Sequence, residues 1–222
     1  MNNKIEYVYG DLSDKQLQSF QESKCIAIDT EFNTTMLDSG LDLVGAVLWV
    51  VQIAHDDGSV LVVQLDAKVD PINLKTLLDD KKQLKLLHFA RADKVVVFEN
   101  LGVMMNPVFC TKIASRLLTP EEFAHSLKAI IFRYCNVNID KDTEQQCSDW
   151  SKPLSTKQIT YAGEDVIYLH KIFYKMEEEL LNSDRSKIAY KCFDFLNTII
   201  DADMTVMQNI DIFNHKNYRN SK

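Results

Sequence analysis

The sequence predicts an α/β fold in which a mixed central sheet is flanked by helices. Three observations carry this. Four short, strongly apolar runs lie before Ala90, two of them are joined by the turn Asp56-Asp57-Gly58, and from Ala90 onward apolar residues recur with helical spacing. Taken in order, Asp14 to Glu22 reads as a short helix, and CIAIDT at 25–30 as a buried strand. AVLWVVQIA at 46–54 and SVLVVQL at 59–65 read as a hairpin across HDDG, and LKLLHF at 84–89 as a fourth strand. Helices are expected at 90–101, 111–118, 124–135, 156–181 and 185–200. Two polar stretches, Asn33 to Leu43 and Asn138 to Pro153, break the pattern beside acidic residues treated below.

The chain of 222 residues, 46% hydrophobic and 26% charged, is expected to form one domain over 1–222 around a single core. No repeat, low-complexity tract or linker divides it. Apolar runs such as Leu43 to Val51 fall far short of the roughly 20 residues of a membrane span, and the opening MNNKIEYVYGDLSD has no signal-peptide core, so the expectation is a cytoplasmic protein without membrane contact. Five scattered cysteines without a C-x-x-C pair read as reduced thiols. A net charge of −7 argues against a broad phosphate footprint on long nucleic acid. It leaves room for a small nucleotide held through metal ions, whose charge dominates the local field. The polar tail after Asp201 reads equally well as a partly ordered terminus or as a segment docked on a partner.

The chemistry begins with acids in costly places. In YAGEDVIYLH, residues 161–170, the helical wheel puts Tyr161 and Asp165 on one arc with Ala162, Val166, Leu169, Ile172, Phe173 and Met176. A carboxylate taken out of water needs a partner or a metal. The first strand ends in Asp29-Thr30-Glu31, and alternation sends both carboxylates to one face. In LLHFARADKVVVFENLG, Asp93 falls between Val96 and Val97 on the apolar face; its bland alternative is a helix-start acid favoured by the macrodipole.

Three elements thus bring acid to apolar surroundings, and a shared cation site explains them together. Oxygen ligands without His or Cys select Mg²⁺ or Mn²⁺. Four carboxylates carry roughly −4, enough for two such ions, which at about 3.5–4 Å separation clamp the attacking and leaving oxygens of a phosphodiester. Tyr161, one turn before Asp165 on the same side, is then placed to hold or deprotonate the attacking water, whereas on the helix alone it reads as a core tyrosine with its hydroxyl satisfied locally.

Those residues make the sequence recognisable. D-T-E-F at 29–32, H-F-A-R-A-D at 88–93 and Y-A-G-E-D-V-I-Y-L at 161–169 resemble the three exonuclease motifs of the DEDD superfamily, tyrosine variant, as in ribonuclease D, and S-D-W-S-K-P-L-S at 148–155 resembles the segment before the third motif. F-C-T-K-I-A-S at 109–115, N-V-N-I-D-K at 136–141, Y-L-H at 168–170 and D-I-F-N-H at 211–215 look like the shorter nanoRNase C type of diribonuclease. The resemblance implies a ribonuclease H-like DEDD exonuclease domain with its motifs within 25–181 and no added nucleic-acid-binding helical domain. It implies two divalent cations, Mg²⁺ or Mn²⁺, and release of 5′-mononucleotides from the 3′ end of short RNA, dinucleotides above all, with short single-stranded DNA as a further substrate. It also implies a homo-oligomer, an octameric ring.

Carried over residue by residue, the resemblance makes Asp29, Glu31, Asp93 and Asp165 metal ligands and Tyr161 the residue that positions the water. His88 and Arg91 become candidate substrate contacts, and Phe32 a stacking platform for the 3′-terminal base. His88 reads equally as a structural residue at a strand end, and Phe32 as ordinary packing. Phe89 stands where many ribonuclease D sequences have Asn, and 33–47 holds no basic residue. The alternatives are ribonuclease D-like trimming of longer RNA or DNA, and a catalytically silent nucleic-acid-binding relative.

Overall fold

The computed structural model describes residues 4–37, 40–121, 124–139 and 148–205. Its main sheet is built around β2 (Cys25–Asn33), antiparallel to β5 (Val47–Ala54) and parallel to β7 (Leu84–Leu87). Beyond β5 lie β6 (Val60–Gln64), antiparallel to it, and the edge strand β1 (Ile5–Tyr9), parallel to β6. β8 (Val108–Cys110) closes the other edge, parallel to β7, giving the order β1-β6-β5-β2-β7-β8. A small separate ladder pairs β3 (Met36–Leu37) with β4 (Gly40–Leu41).

The expected hairpin is present. Gly58 takes a left-handed φ of 88°, which suits its lack of a Cβ, and its N–H donates to His55 O at 3.0 Å to close the turn between β5 and β6. Residues of β2, β5, β6 and β7 such as Ile26, Ile28, Val51, Val63 and Leu86 are fully buried, because helices cover the sheet.

Those helices are α1 (Asp14–Gln21), α2 (Ile72–Asp79), α3 (Ala90–Leu101), α4 (Thr111–Leu118), α5 (Leu127–Cys135), α6 (Thr156–Val166), α7 (Leu169–Asn182) and α8 (Ser186–Asp203). α3 and α4 have the expected bounds, α3 because the left-handed Gly102 (φ 69°) ends it. α5 starts later than expected, because the Ser126 side chain caps it by accepting from Ala129 N at 3.3 Å. The helix expected over 156–181 is two, interrupted at Ile167 and Tyr168. The last helix runs on to Asp203.

β1, α2, β8 and the short β3–β4 ladder within 33–43 were not expected. β1 is a half-exposed edge strand with little apolar alternation, and β8 has three residues, too few for a periodic signal. Cys25, Cys110, Cys135 and Cys192 are free thiols, as expected. Much of the irregular stretch after Asn138, with Cys147, and the tail after Thr205, with 211–215, lie outside the described residues. Among the described residues no helix is long and apolar enough to cross a membrane.

Candidate metal centre

The sheet brings the acids together through a change of neighbours along β2. Along β2, pairing with β7 covers only Cys25 to Ala27. Beyond that point β2 continues with β5 alone, Asp29 opposite Gln52 and Glu31 opposite Val50, and the chain after β7 turns into α3 beside the freed flank. A bulge between Glu31 and Phe32 shifts the register just after the acidic pair.

α6 supplies the third motif. Its first turn is fixed by a capping box: Ser155 Oγ accepts from Gln158 N at 3.3 Å, while Gln158 Oε1 accepts from Ser155 N at 3.0 Å. The helix packs closely on β1, because Gly163 has no side chain. A Cβ there would lie 2.6 Å from Ile5 Cδ1. This seats Asp165, 5% exposed, over the end of β2.

Asp29, Glu31 and Asp165 each offer a carboxylate oxygen, and the three atoms lie within 4.8 Å of one another. An all-oxygen set of three carboxyl groups at that spacing fits a hard divalent cation better than a soft metal. Asp93 stands beside this trio without joining it. Its Oδ1 accepts from Thr30 Oγ1 at 2.7 Å, from the residue between the two β2 acids. Burial pushes the Asp93 carboxyl up to about 7, against the pull of the Thr30 hydroxyl and of backbone N–H groups.

Tyr161 lies one turn before Asp165, 8% exposed, its ring centroid 6.3 Å from that of the buried Trp150. Gln64, on β6, orients the segment before α6 by donating to Trp150 O at 3.1 Å and Lys152 O at 2.7 Å. The sequence reading passed over Gln52. It is fully buried in the middle of a strand opposite Asp29, and among the described residues its side-chain nitrogen and oxygen have no hydrogen-bond partner.

The three softer candidates fare differently. His88 is half-buried, its Nδ1 3.0 Å from Thr111 Oγ1. The Thr111 hydroxyl donates to Leu87 O at 3.2 Å, which makes the His88 ring the donor to Thr111. Phe32 is half-buried against the core. Arg91 is engaged in a bidentate pair with Asp203.

Sequence reasoning also missed a pocket of about 350 Å³ at the start of α3 and α4, lined by Phe89, Arg91, Cys110, Lys112, Ile113, Arg116 and Leu196. Phe89 is 43% exposed in a left-handed conformation (φ 65°), with Lys112 Nζ 4.0 Å above its ring. Burial and the charge of Arg116 lower the Lys112 pKa.

Comparison with known proteins agrees with this architecture. The sequence profile of the family described as 3′-5′ exonuclease matches residues 11–181. Ribonuclease D of Bartonella henselae is 30% identical over 175 residues, which are 77% of this chain and 40% of that protein. The chain thus spans less than half the length of the curated relatives it matches. Two solved structures are matched almost end to end. One is Brucella melitensis NrnC bound to pGG, 37% identical with a TM-score of 0.85 over 96% of this chain and 99% of that one. The other is the same protein with bound Mg²⁺, 36% identical with a TM-score of 0.84 over 96% and 100%. Matched motifs, sheet order and flanking helices have one explanation: the chain belongs to the 3′-5′ exonuclease family, in the DEDD branch of ribonuclease D and NrnC, with the ribonuclease H-like fold of that domain.

Proposed function

We infer that this protein is a metal-dependent 3′-5′ exoribonuclease that hydrolyses short RNA, dinucleotides above all, to 5′-mononucleotides. The observation that carries the reading is the convergence of Asp29, Glu31 and Asp165 within 4.8 Å, with Asp93 alongside and Tyr161 one turn away. In this reading Asp29, Glu31 and Asp165 would hold one Mg²⁺ or Mn²⁺ ion, and Asp29 with help from water would hold a second, Asp93 completing the site directly or through water. Such ions supply an activated water and neutralise charge on the leaving 3′-oxygen. Tyr161 orients that water with its hydroxyl. The basic pocket at Lys112 and Arg116 draws the phosphates of the substrate toward the acids in a chain of net charge −7. Phe32 stacks on the 3′-terminal base and His88, fixed by Thr111, lines its approach.

Support for the short substrate comes from the end-to-end likeness to NrnC, whose structure holds pGG, a short RNA. Few phosphates would then be contacted, which fits the acidic balance of the chain. A homo-oligomeric ring fits the apolar residues left exposed on α7 and α8, Leu181 at 60% and Ile188 at 54%, and light scattering would measure its size.

The test is the initial rate on 5′-phosphorylated diguanylate and on an RNA 20-mer, with Mn²⁺ and with chelator. We expect chelator-sensitive release of mononucleotides, rapid on the dinucleotide, slow on the 20-mer, and lost in Asp165→Asn. Equal rates on both lengths would favour the ribonuclease D-like reading, which the likeness to the Bartonella enzyme supports. Undiminished activity in Asp165→Asn would refute the site.

A further inference from the structure

Helix α8 lies beyond residue 181, where the match to the family ends, yet it grips the opening turns of α3 through two polar links. Arg91 Nε donates to Asp203 Oδ2 at 2.7 Å and Arg91 Nη2 to Asp203 Oδ1 at 2.5 Å. Lys94, fully buried, donates from Nζ to Asn197 Oδ1 at 2.8 Å, and also to Met105 O at 2.6 Å and Asn106 Oδ1 at 2.9 Å. Arg91 and Lys94 flank Asp93 on the same turn.

The burial of the acceptor makes this more than a surface ion pair. Ala189, Phe193, Leu196, Ile200 and Asp203 are the buried residues of α8, an unbroken stripe at alternating steps of four and three. Asp203 closes it at 2% exposure. A bidentate guanidinium–carboxylate pair fixes direction as well as distance, and removing one half leaves the other buried and unpaired. From the opposite side Thr30 ties Asp93 to β2 at 2.7 Å. The turn that presents Asp93 is therefore held between the central strand and a helix outside the matched domain.

We propose that α8 is a positioning element of the nuclease site: the Arg91–Asp203 pair, backed by Lys94–Asn197, sets the placement of the α3 turn that presents Asp93 to the cations. The assignment rests on the nuclease reading of the acids. It makes Arg91 and Asp203 positioning residues, and it replaces the expectation that Arg91 contacts substrate.

The test compares Asp203→Ala, Arg91→Ala and the double variant in the full chain. The readouts are kcat and KM on 5′-phosphorylated diguanylate and Mn²⁺ binding by calorimetry. Each single variant should lower kcat by about tenfold or more and weaken Mn²⁺ binding several-fold, with the dinucleotide KM within about twofold. The double variant should be no worse than the worse single, because both cut one link. Asp203→Asn, which keeps the shape and one strong acceptor, should fall between, and it carries the comparison if Asp203→Ala does not fold. A folded variant at Asp203 with wild-type kcat and Mn²⁺ binding would overturn the proposal. So would a tenfold rise in dinucleotide KM in Arg91→Ala that the Asp203 variants do not share, since Arg91 would then touch substrate. If the wild-type chain proves inactive, the nuclease reading fails, and unchanged or weakened Mn²⁺ binding in the Asp203 variants still decides the positioning claim.

Discussion

Gly163→Ala sets two opposing effects against each other at the centre of the third motif. Alanine in a helix interior is favoured over glycine by about 0.5–1 kcal/mol. Against this, the new Cβ would meet Ile5 Cδ1 at 2.6 Å, Cγ1 at 3.1 Å and Cγ2 at 3.4 Å. The terminal Cδ1 can swing away, but Cγ1 and Cγ2 are held by a stiff β-branched rotamer. α6 or the edge strand β1 must then yield by a few tenths of an ångström, and overpacking of this kind costs about 1–3 kcal/mol. The balance is a net loss of about 1 kcal/mol, which for a chain of this size lowers Tm by about 2–4 °C.

Ile5→Ala isolates the clash, because it deletes all three carbons that the new Cβ would meet. Alone it should cost about 2 kcal/mol at this half-buried position. In its background Gly163→Ala should recover about 1 kcal/mol, a coupling that urea unfolding of the four proteins, followed by tryptophan fluorescence, would measure. Additivity within about 0.5 kcal/mol, or stabilisation by Gly163→Ala in the wild-type chain, would refute the close-packing argument. Tyr161 and Asp165 lie two residues either side of Gly163, so the displacement should lower kcat more than the stability loss alone would suggest.

Two further outcomes follow from buried polar groups elsewhere. Thr30→Val keeps the side-chain shape but removes the 2.7 Å donor to Asp93, and denaturant unfolding at pH 8 in chelator should show a loss of about 1.5–3 kcal/mol; a change below about 0.5 kcal/mol would mean that this carboxylate does not depend on Thr30. Lys85 is fully buried with Nζ donating to Asp80 O and Asn106 O, and burial depresses its pKa from 10.5 to about 8. Below pH 8 both folded and unfolded chains hold its proton, whereas from about 8 to 10.5 the unfolded chain binds more, so wild-type stability should rise relative to Lys85→Met by up to about 3 kcal/mol across that window. Parallel pH profiles of the two proteins would rule it out.

How legible the site was in the sequence depended on the range over which each signal acts. Asp29 and Glu31 were visible because a strand alternates with period two, and Asp165 because the apolar arc persists across the break between α6 and α7. The capping box at Ser155 and Gln158, and Gly102 after α3, mark helix ends locally. What stayed hidden depends on partners far along the chain. β1 is a strand only because β6 offers it a parallel edge, and β8 only because β7 does. The pocket beside Phe89 needs α3, α4 and α8 together. Gln52 gives no sign in its own strand of lying opposite Asp29.

Asp203 shows where the rule used on Asp165 stops. Both acids sit on an apolar helical stripe, at 2% and 5% exposure, and the rule that a buried acid needs a partner holds for both. For Asp203 the partner is the cation Arg91, so the pair is complete within the chain. For Asp165 the neighbouring acids are Asp29 and Glu31, with a carboxylate oxygen of each within 4.8 Å of its own. Carboxylates held within 4.8 Å repel one another when ionised, and under the proposed reading a cation would relieve that repulsion. Periodicity can therefore locate a buried acid, but only the tertiary structure shows whether its neighbours are a cation, as at Asp203, or further acids, as at Asp165. Both kinds of contact come together on α3, where Arg91 pairs with Asp203 and, two residues on, Asp93 accepts from Thr30 between the β2 acids.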